Sequence, residues 1–397
     1  MTSYKKIKLL PKKDESLKRF HPWVFSGAIA HKPNEIAEGE TVKVLANDGT
    51  FLGVGHYQIG SIAVRILSFE DEPIDIDFYK KRIAQAYKMR KNIDLVRTDN
   101  NTFRLVHGEG DNLPGLIIDM YANTAVVQAH SVGMHENLSL ISDALKTVLP
   151  DDVLQNIFYK SEGTLPFKAN IAPEDAYIFG GQNAENLALE NGLKFHIDWL
   201  KGQKTGFFID QRENRKLLEQ YAKNRNVLNM FCYTGGFSVY ALRSGATQVD
   251  SVDSSAKAMT ITEQNVQINF GNDTRHKAFT EDAFKFLKES APATYDLIVL
   301  DPPAFAKHRG AINNALQGYK KLNLSAISSI KSGGILFTFS CSQVISKEQF
   351  RLAVFSAAAI SGRKVRILHQ LTQPADHPVN IYHPEGEYLK GLVLYIE

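Results

Sequence analysis

Two residues that close apolar runs carry the clearest chemistry in this chain of 397 residues. Cys341 follows Ile335-Leu336-Phe337-Thr338-Phe339-Ser340, and Asp301 follows Leu297-Ile298-Val299-Leu300 and opens Asp301-Pro302-Pro303. In an open parallel sheet, ligands bind beyond the carboxyl ends of the strands. A thiol and a carboxylate at two such ends therefore face one crevice. A nucleophile beside a group that can move protons is an arrangement for covalent catalysis. The plainer alternatives are a packed thiol at a strand end and an aspartate that caps a turn. Cys232, the other cysteine, lies in the apolar approach to a glycine loop and reads as packing. Two cysteines make neither a disulfide framework nor a zinc site.

A second set of residues suits a nucleoside-bearing cofactor. The run Val227 to Phe231 leads into Cys232-Tyr233-Thr234-Gly235-Gly236-Phe237. Glycines there let the backbone turn sharply into a helix and approach a ligand closely. The G-x-G-x-x-G spacing of dinucleotide folds is absent, so the loop fits a ligand without phosphates. Asp253, followed by Ser254, ends the next strand and can accept two hydrogen bonds from a ribose diol. Asp282 follows a short run near Lys277 to Phe279 and is placed to accept from an adenine amine. A glycine loop, a ribose acid and an adenine acid, each after its own strand, describe a site for S-adenosylmethionine. Lys201-Gly202-Gln203-Lys204-Thr205-Gly206 lacks the leading glycine of a P-loop.

The elements that must position these residues alternate strand and helix, which predicts a doubly wound α/β sheet over residues 191–397. Its strands are predicted at Val227 to Phe231, Gln248 to Asp253, Lys277 to Phe279, Asp296 to Leu300 and Gly334 to Phe339, with Lys364 to His369 and Leu392 to Ile396 closing it as an antiparallel hairpin. Residues 1–72 read as a small β-rich domain. In it, Thr41 to Leu45 and Phe51 to Val54 flank Asn47-Asp48-Gly49, a hairpin signal. Trp23 and Phe25 are expected in its core. Residues 73–190 read as a small α+β domain with a basic helix from Ile76 to Ile93, turned inward at Phe78, Ile83, Ala86, Tyr87 and Ile93. Strands follow at Phe103 to His107, Leu116 to Met120 and Ala125 to Ala129, then a helix from Glu136 to Val148.

Hydrophobic content of 44% and charged content of 22% are globular values, and the net charge is only +3. Basic residues nonetheless crowd two places: Lys5 to Arg19, and Lys80, Lys81, Arg82, Lys88, Arg90, Lys91 and Arg97. Such patches fit contact with a polyanion or, equally, a solvated charged face. No apolar run reaches the roughly 18 residues of a membrane helix, and no apolar core follows the first lysines as in a secretory signal. A reducing, cytoplasmic location is the expectation.

Val227-Leu228-Asn229-Met230-Phe231-Cys232-Tyr233-Thr234-Gly235-Gly236-Phe237, Val252-Asp253-Ser254-Ser255, Leu300-Asp301-Pro302-Pro303-Ala304-Phe305 and Ser340-Cys341-Ser342 together resemble the bacterial 23S rRNA cytosine-C5 methyltransferases of the ribosomal RNA large subunit methyltransferase I type. His21-Pro22-Trp23-Val24-Phe25-Ser26-Gly27 looks like the start of that family's RNA-binding PUA module. The resemblance covers nearly the whole chain. It implies a class I, Rossmann-like methyltransferase domain, S-adenosylmethionine as cofactor, and large-subunit ribosomal RNA as partner. No membrane partner is expected, as no apolar run is long enough to span one, and the oligomeric state is left open between monomer and homodimer. Lys204 to Arg212, with Asp210, is similar to the segment that encloses the cofactor's methionine end in these enzymes.

On that footing Cys341 adds to carbon 6 of cytosine and makes carbon 5 nucleophilic. Asp301 binds the N3/N4 edge and supports protonation at N3. Pro302 and Pro303 stiffen the loop, and Phe305 stacks on the flipped base, worth roughly 1–3 kcal/mol. The base that removes the carbon-5 proton is assigned to no residue. The rival readings are methylation of an exocyclic nitrogen of guanine or adenine, with Cys341 structural, and a non-catalytic RNA-binding or ribosome-assembly factor.

Overall fold

The computed structural model describes residues 4–166, 171–182 and 184–397. The chain forms two compact units. The first comprises Met1–Asn191, Ile197–Ile209 and Ala375–Gly386, and the second Gly192–His196, Asp210–Pro374 and Glu387–Glu397.

In the first unit, a six-stranded sheet is built from Lys5–Leu9, Trp23–Phe25, Ile29–His31, Thr41–Leu45, Phe51–Tyr57 and Ile62–Ser68. Thr41–Leu45 alternates partly exposed and buried side chains, the period of a half-buried strand. It pairs antiparallel with Phe51–Tyr57 across the predicted turn, where Gly49 takes φ +94°. Ile7, Leu9, Val42, Val44 and Val64 fill this module's core. Trp23 is half-buried and donates to Glu109 at 2.9 Å, whereas Phe25 is exposed rather than part of the core.

A mixed five-stranded sheet follows: Thr102–His107, Leu116–Tyr121, Thr124–Ala129, Asn156–Tyr159 and Ala176–Phe179 lie side by side in that order, antiparallel except for the parallel pair Thr124–Ala129 and Asn156–Tyr159. The helix Ile76–Asn92 begins where the Asp75 side chain accepts from the backbone of Asp77 and Phe78, a cap worth about 1 kcal/mol. It ends before Ile93, which is exposed, and Tyr79 and Arg90 join Phe78, Ile83 and Ala86 on the buried face. The single helix expected from Glu136 is two, Val132–Glu136 and Leu138–Val148. Asn137 marks the junction, where its side-chain amide at 2.8 Å shares the Gly133 carbonyl with its own backbone N–H at 3.2 Å.

Arg90, counted among the surface charges, is fully buried. Its guanidinium grips both carboxylate oxygens of Asp111 and donates to the Asp376 carbonyl at 2.9 Å. Arg97 pairs with Asp99, and Lys80 with Asp77. Of the second basic cluster, Arg90 is therefore spent inside the molecule, while Lys81, Lys88 and Lys91 stay exposed.

The second unit is a seven-stranded sheet: β1 (Asn226–Met230), β2 (Gln248–Asp253), β3 (His276–Thr280), β4 (Leu297–Leu300), β5 (Gly334–Ser340), β6 (Val365–Leu371) and β7 (Lys390–Ile396). The spatial order is β3-β2-β1-β4-β5-β7-β6. The first five strands run parallel, and β7 inserts antiparallel between β5 and β6. β4 and β5 are buried at every position, which is why β4 reads as a continuous apolar run and β5 as one broken only by Thr338 and Ser340. The chain reverses its direction of travel at β1 and β4, and in such sheets the switch point opens the ligand crevice. Among the described residues no helix is long and apolar enough to cross a membrane.

Candidate active site

Leu300 of β4 pairs with Thr338 of β5, so Asp301 and Cys341 leave the same edge of the sheet from neighbouring strands. The Cys341 Sγ lies 4.0 Å from the Pro302 carbonyl oxygen. The two loops are stitched together. The Ala306 N–H donates to Ser342 Oγ at 3.3 Å, and Tyr319 Oη accepts from Ser340 Oγ at 2.9 Å. Pro302 is buried and Pro303 exposed. The half-buried Phe305 ring is tilted against Tyr319, with centroids 4.6 Å apart, so one side of it is already engaged.

The electrostatics of this corner hold its groups near neutrality. Burial, with the negative charge of Asp210 behind it, raises the Asp301 carboxyl to about 7, against an opposing hydrogen bond from Gln211 and the charge of Arg215. Burial followed by the charges of Asp301 and Asp210 raises the Cys341 thiol to about 12, and Lys390 pulls the other way. Low dielectric and like charges are the two causes at work. A carboxyl poised near neutrality in a crevice is suited to proton transfer.

The cofactor loop follows β1. Phe231, Tyr233 and Gly235 take φ of +56°, +48° and +78°, so the backbone alternates into the left-handed region before the helix Gly236–Arg243 begins. Asp253 braces this bend, its two oxygens accepting from the backbone of Tyr233 at 3.0 Å and Ser255 at 2.9 Å. Asn265 donates to the Thr234 carbonyl at 2.9 Å. Ser254 and Asp282 are exposed, and one Asp282 oxygen caps the helix Ala283–Glu289 through Lys285. Cys232 is buried, its thiol pushed up chiefly by burial, as a packing residue should be.

A Cβ on Gly235 would stand 2.6 Å from Thr262 Cγ2, and one on Gly236 would stand 3.0 Å from Arg215 Cδ. Gly235→Ala combines that clash with a left-handed backbone that itself costs an L-residue about 1–2 kcal/mol. The expected result is a loss of roughly 2 kcal/mol or more in chemical denaturation, together with weakened cofactor binding by calorimetry. Wild-type values for both would contradict this account of the loop.

The cofactor can be tested against unfulfilled polar atoms. Thr234 Oγ1 and Asp210 Oδ1 are both buried without a hydrogen-bond partner, while Asp210 Oδ2 accepts from Tyr388 Oη at 2.7 Å. Buried polar atoms left unpaired are uncommon and suit a ligand. A hydroxyl beside the glycine loop and a carboxylate oxygen free to meet an ammonium fit S-adenosylmethionine.

Residues 164–380 match the family described as S-adenosylmethionine-dependent methyltransferase, and residues 7–69 match the PUA-like domain. A ribosomal RNA large subunit methyltransferase I of Alteromonas mediterranea is 39% identical, covering 97% of this chain and 97% of its own. That of Shewanella denitrificans is 40% identical, covering 98% of each. The chain belongs to the ribosomal RNA large subunit methyltransferase I family. Its methyl donor is S-adenosylmethionine. A SAM-dependent methyltransferase from Streptococcus mutans shares the fold with a TM-score of 0.83 at 22% identity, covering 98% of this chain and 99% of that one. SMU.776, a methyltransferase solved with SAH, superposes with a TM-score of 0.84 at 23% identity over 98% and 99% of the two chains.

Three residues of this site escape a reading of the sequence: Arg215, Tyr388 and Lys390. Arg215 is 2% exposed on the helix Arg212–Ala222, against Gly236. Lys390 heads a strand that continues Gly391-Leu392-Val393-Leu394, a place that by itself gives no sign of burial.

Proposed function

We propose that this protein methylates carbon 5 of a cytosine in large-subunit ribosomal RNA through a covalent Cys341 adduct. The observation that carries the reading is the pairing of Cys341 with the Asp301 loop, whose carbonyl lies 4.0 Å from the sulfur, at the carboxyl ends of adjacent parallel strands. Cytosine carbon 5 is a poor nucleophile until carbon 6 is saturated, and a thiolate is the side chain best suited to that addition.

In this reading the Cys341 proton passes to the Asp301 carboxylate as the sulfur bonds to carbon 6, and Asp301 delivers that proton to N3. Bound S-adenosylmethionine supplies the methyl group. Loss of the carbon-5 proton to solvent water, expulsion of the sulfur as thiolate and return of the N3 proton through Asp301 to Cys341 complete the cycle. Asp210, Thr234, Gly235, Gly236, Asp253, Ser254 and Asp282 hold the cofactor; Pro302, Pro303 and Phe305 receive the base. The PUA-like module, the α+β segment to residue 190 and the sheet from 191 onward divide the labour of RNA contact and chemistry.

The test is to treat ribosomal RNA from cells lacking the gene with protein and labelled cofactor, then separate the nucleosides. 5-Methylcytidine is expected. Label in N2-methylguanosine or N6-methyladenosine would reject the reading in favour of an exocyclic nitrogen, and absence of label would favour a binding factor.

Asp253→Ala removes both the loop brace and the ribose acceptor. Hydrogen bonds to charged groups are worth about 1.5–3 kcal/mol each, so cofactor affinity should fall by roughly 10²-fold or more. RNA affinity should persist in a filter-binding assay; loss of both together would point to misfolding instead.

The pH dependence follows from the pair. Below about 7 both Asp301 and Cys341 hold protons. The reactive pair carries one proton, so kcat/KM should rise with pH through about 7. Asp210→Asn removes a charge that raises Asp301 and should move this limb to lower pH. A limb that stays in place, or moves upward, would contradict the role given to Asp301.

A further inference from the structure

Lys390 opens β7, where it pairs in register with Ser340 of β5. It is 6% exposed, and its Nζ donates to the carbonyl oxygens of Ser342 at 2.6 Å and Ile345 at 2.9 Å. Both carbonyls belong to the segment that continues from Cys341. Among the described residues Lys390 makes no ion pair, and Glu387, the acid whose charge bears on it, is bonded to Lys347. A buried ammonium held only by neutral carbonyls is costly, and burial lowers Lys390 to about 8.

The charges bearing on the Cys341 sulfur come from three elements. Asp301 follows β4, Asp210 precedes the helix Arg212–Ala222, and Lys390 stands on β7; among the described residues Lys390 is the positive one. The hydroxyl of Tyr319 also faces this corner through Ser340 and Ser342. A buried cation bonded to the backbone one residue beyond Cys341, without an acidic partner among the described residues, supplies a counter-charge to a thiol that must ionise.

We propose that Lys390 is a positioning residue that fixes the Cys341 segment through two backbone carbonyls and pairs with the Cys341 thiolate as it forms, an inference that rests on the covalent reading above. The ammonium keeps its proton throughout. The thiol proton leaves to Asp301, and the new negative sulfur lies beside an existing positive charge.

The test needs no RNA. Alkylation of Cys341 by iodoacetamide is followed by peptide mass spectrometry across pH 6–10 in the full chain and in Lys390→Arg, Lys390→Gln and Lys390→Met. Each pKa unit changes the thiolate fraction about tenfold. At pH 8 the Gln and Met variants should therefore alkylate about tenfold more slowly, while Arg stays within about threefold of wild type. Wild type should also bend downward from its rising limb near pH 8 as the ammonium is lost, and Lys390→Arg should not. Gln keeps a donor for the carbonyls, so a purely structural role predicts that Gln and Arg behave alike. Wild-type alkylation in folded Lys390→Gln, loss equal to Gln in Lys390→Arg, or an unbroken rise through pH 8 in the wild type would overturn the proposal. If nucleoside analysis showed no 5-methylcytidine while these alkylation differences held, the base assignment would fail and the thiol–ammonium pairing would remain.

Discussion

A Cys341→Ala variant is expected to form no adduct that survives denaturation with RNA carrying 5-fluorocytosine, and to lose methyl transfer by roughly 10⁴-fold or more. Fluorine at carbon 5 cannot leave as a proton, so the sulfur–carbon 6 bond persists in the wild-type complex and can be seen on a denaturing gel. The alanine removes the only atom proposed to make that bond. Cys341 is half-buried at a loop rather than sealed in the core, so its truncation should cost little stability. Cys232→Ala serves as the control. It lies against Met259, its sulfur 3.5 Å from that of Met259, and should keep the adduct while lowering thermal stability. Methylation by Cys341→Ala at a wild-type rate would eliminate the covalent mechanism and promote the exocyclic-nitrogen reading.

Asp301→Asn carries the second large effect, and its two readouts should move in opposite directions. Asp301 is the largest charge raising the Cys341 thiol. Without that charge the thiol ionises more readily and should alkylate faster at fixed pH. Asparagine cannot carry the proton to N3, and loss of such a group lowers turnover by about 10²–10⁴-fold. A more reactive thiol in a slower enzyme is hard to obtain from general damage, which depresses both. If turnover fell and alkylation slowed together, Asp301 would be a scaffold for the loop rather than a proton carrier.

Much of the catalytic unit is legible in the sequence because its strands are buried on both faces. Leu297–Leu300 is apolar throughout and Gly334–Ser340 is apolar but for Thr338 and Ser340, and the end of each run marks the edge where a ligand can bind. Asp301 and Cys341 are readable for that reason, whereas Asp253, which ends the polar-bearing strand Gln248–Asp253, is readable from the glycine loop that precedes it. Lys390 is not, because a lysine at the head of a strand looks like the end of burial. Only the fold shows that its ammonium turns inward to two carbonyls. Arg90 misleads for a related reason. Counting charges along a helix ignores the acid that meets them in space, and Asp111 lies on a different element. The break at Asn137 escapes notice because the apolar spacing on either side of it remains helical. Arg215 escapes because its role depends on a glycine elsewhere in the chain, Gly236, which leaves room for its side chain.

The course of the polypeptide has a consequence for biosynthesis. The first unit takes most of its residues from Met1–Asn191 but also claims Ala375–Gly386. In that late stretch the fully buried Asp376 receives the Arg104 backbone N–H at 2.9 Å, and its carbonyl completes the shell around Arg90. A ribosome must therefore synthesise almost the entire catalytic sheet before the earlier unit can be finished. Until then, Arg104 and Arg90 wait with bonds unmade, and a chain released early would present the open seam to proteases and chaperones.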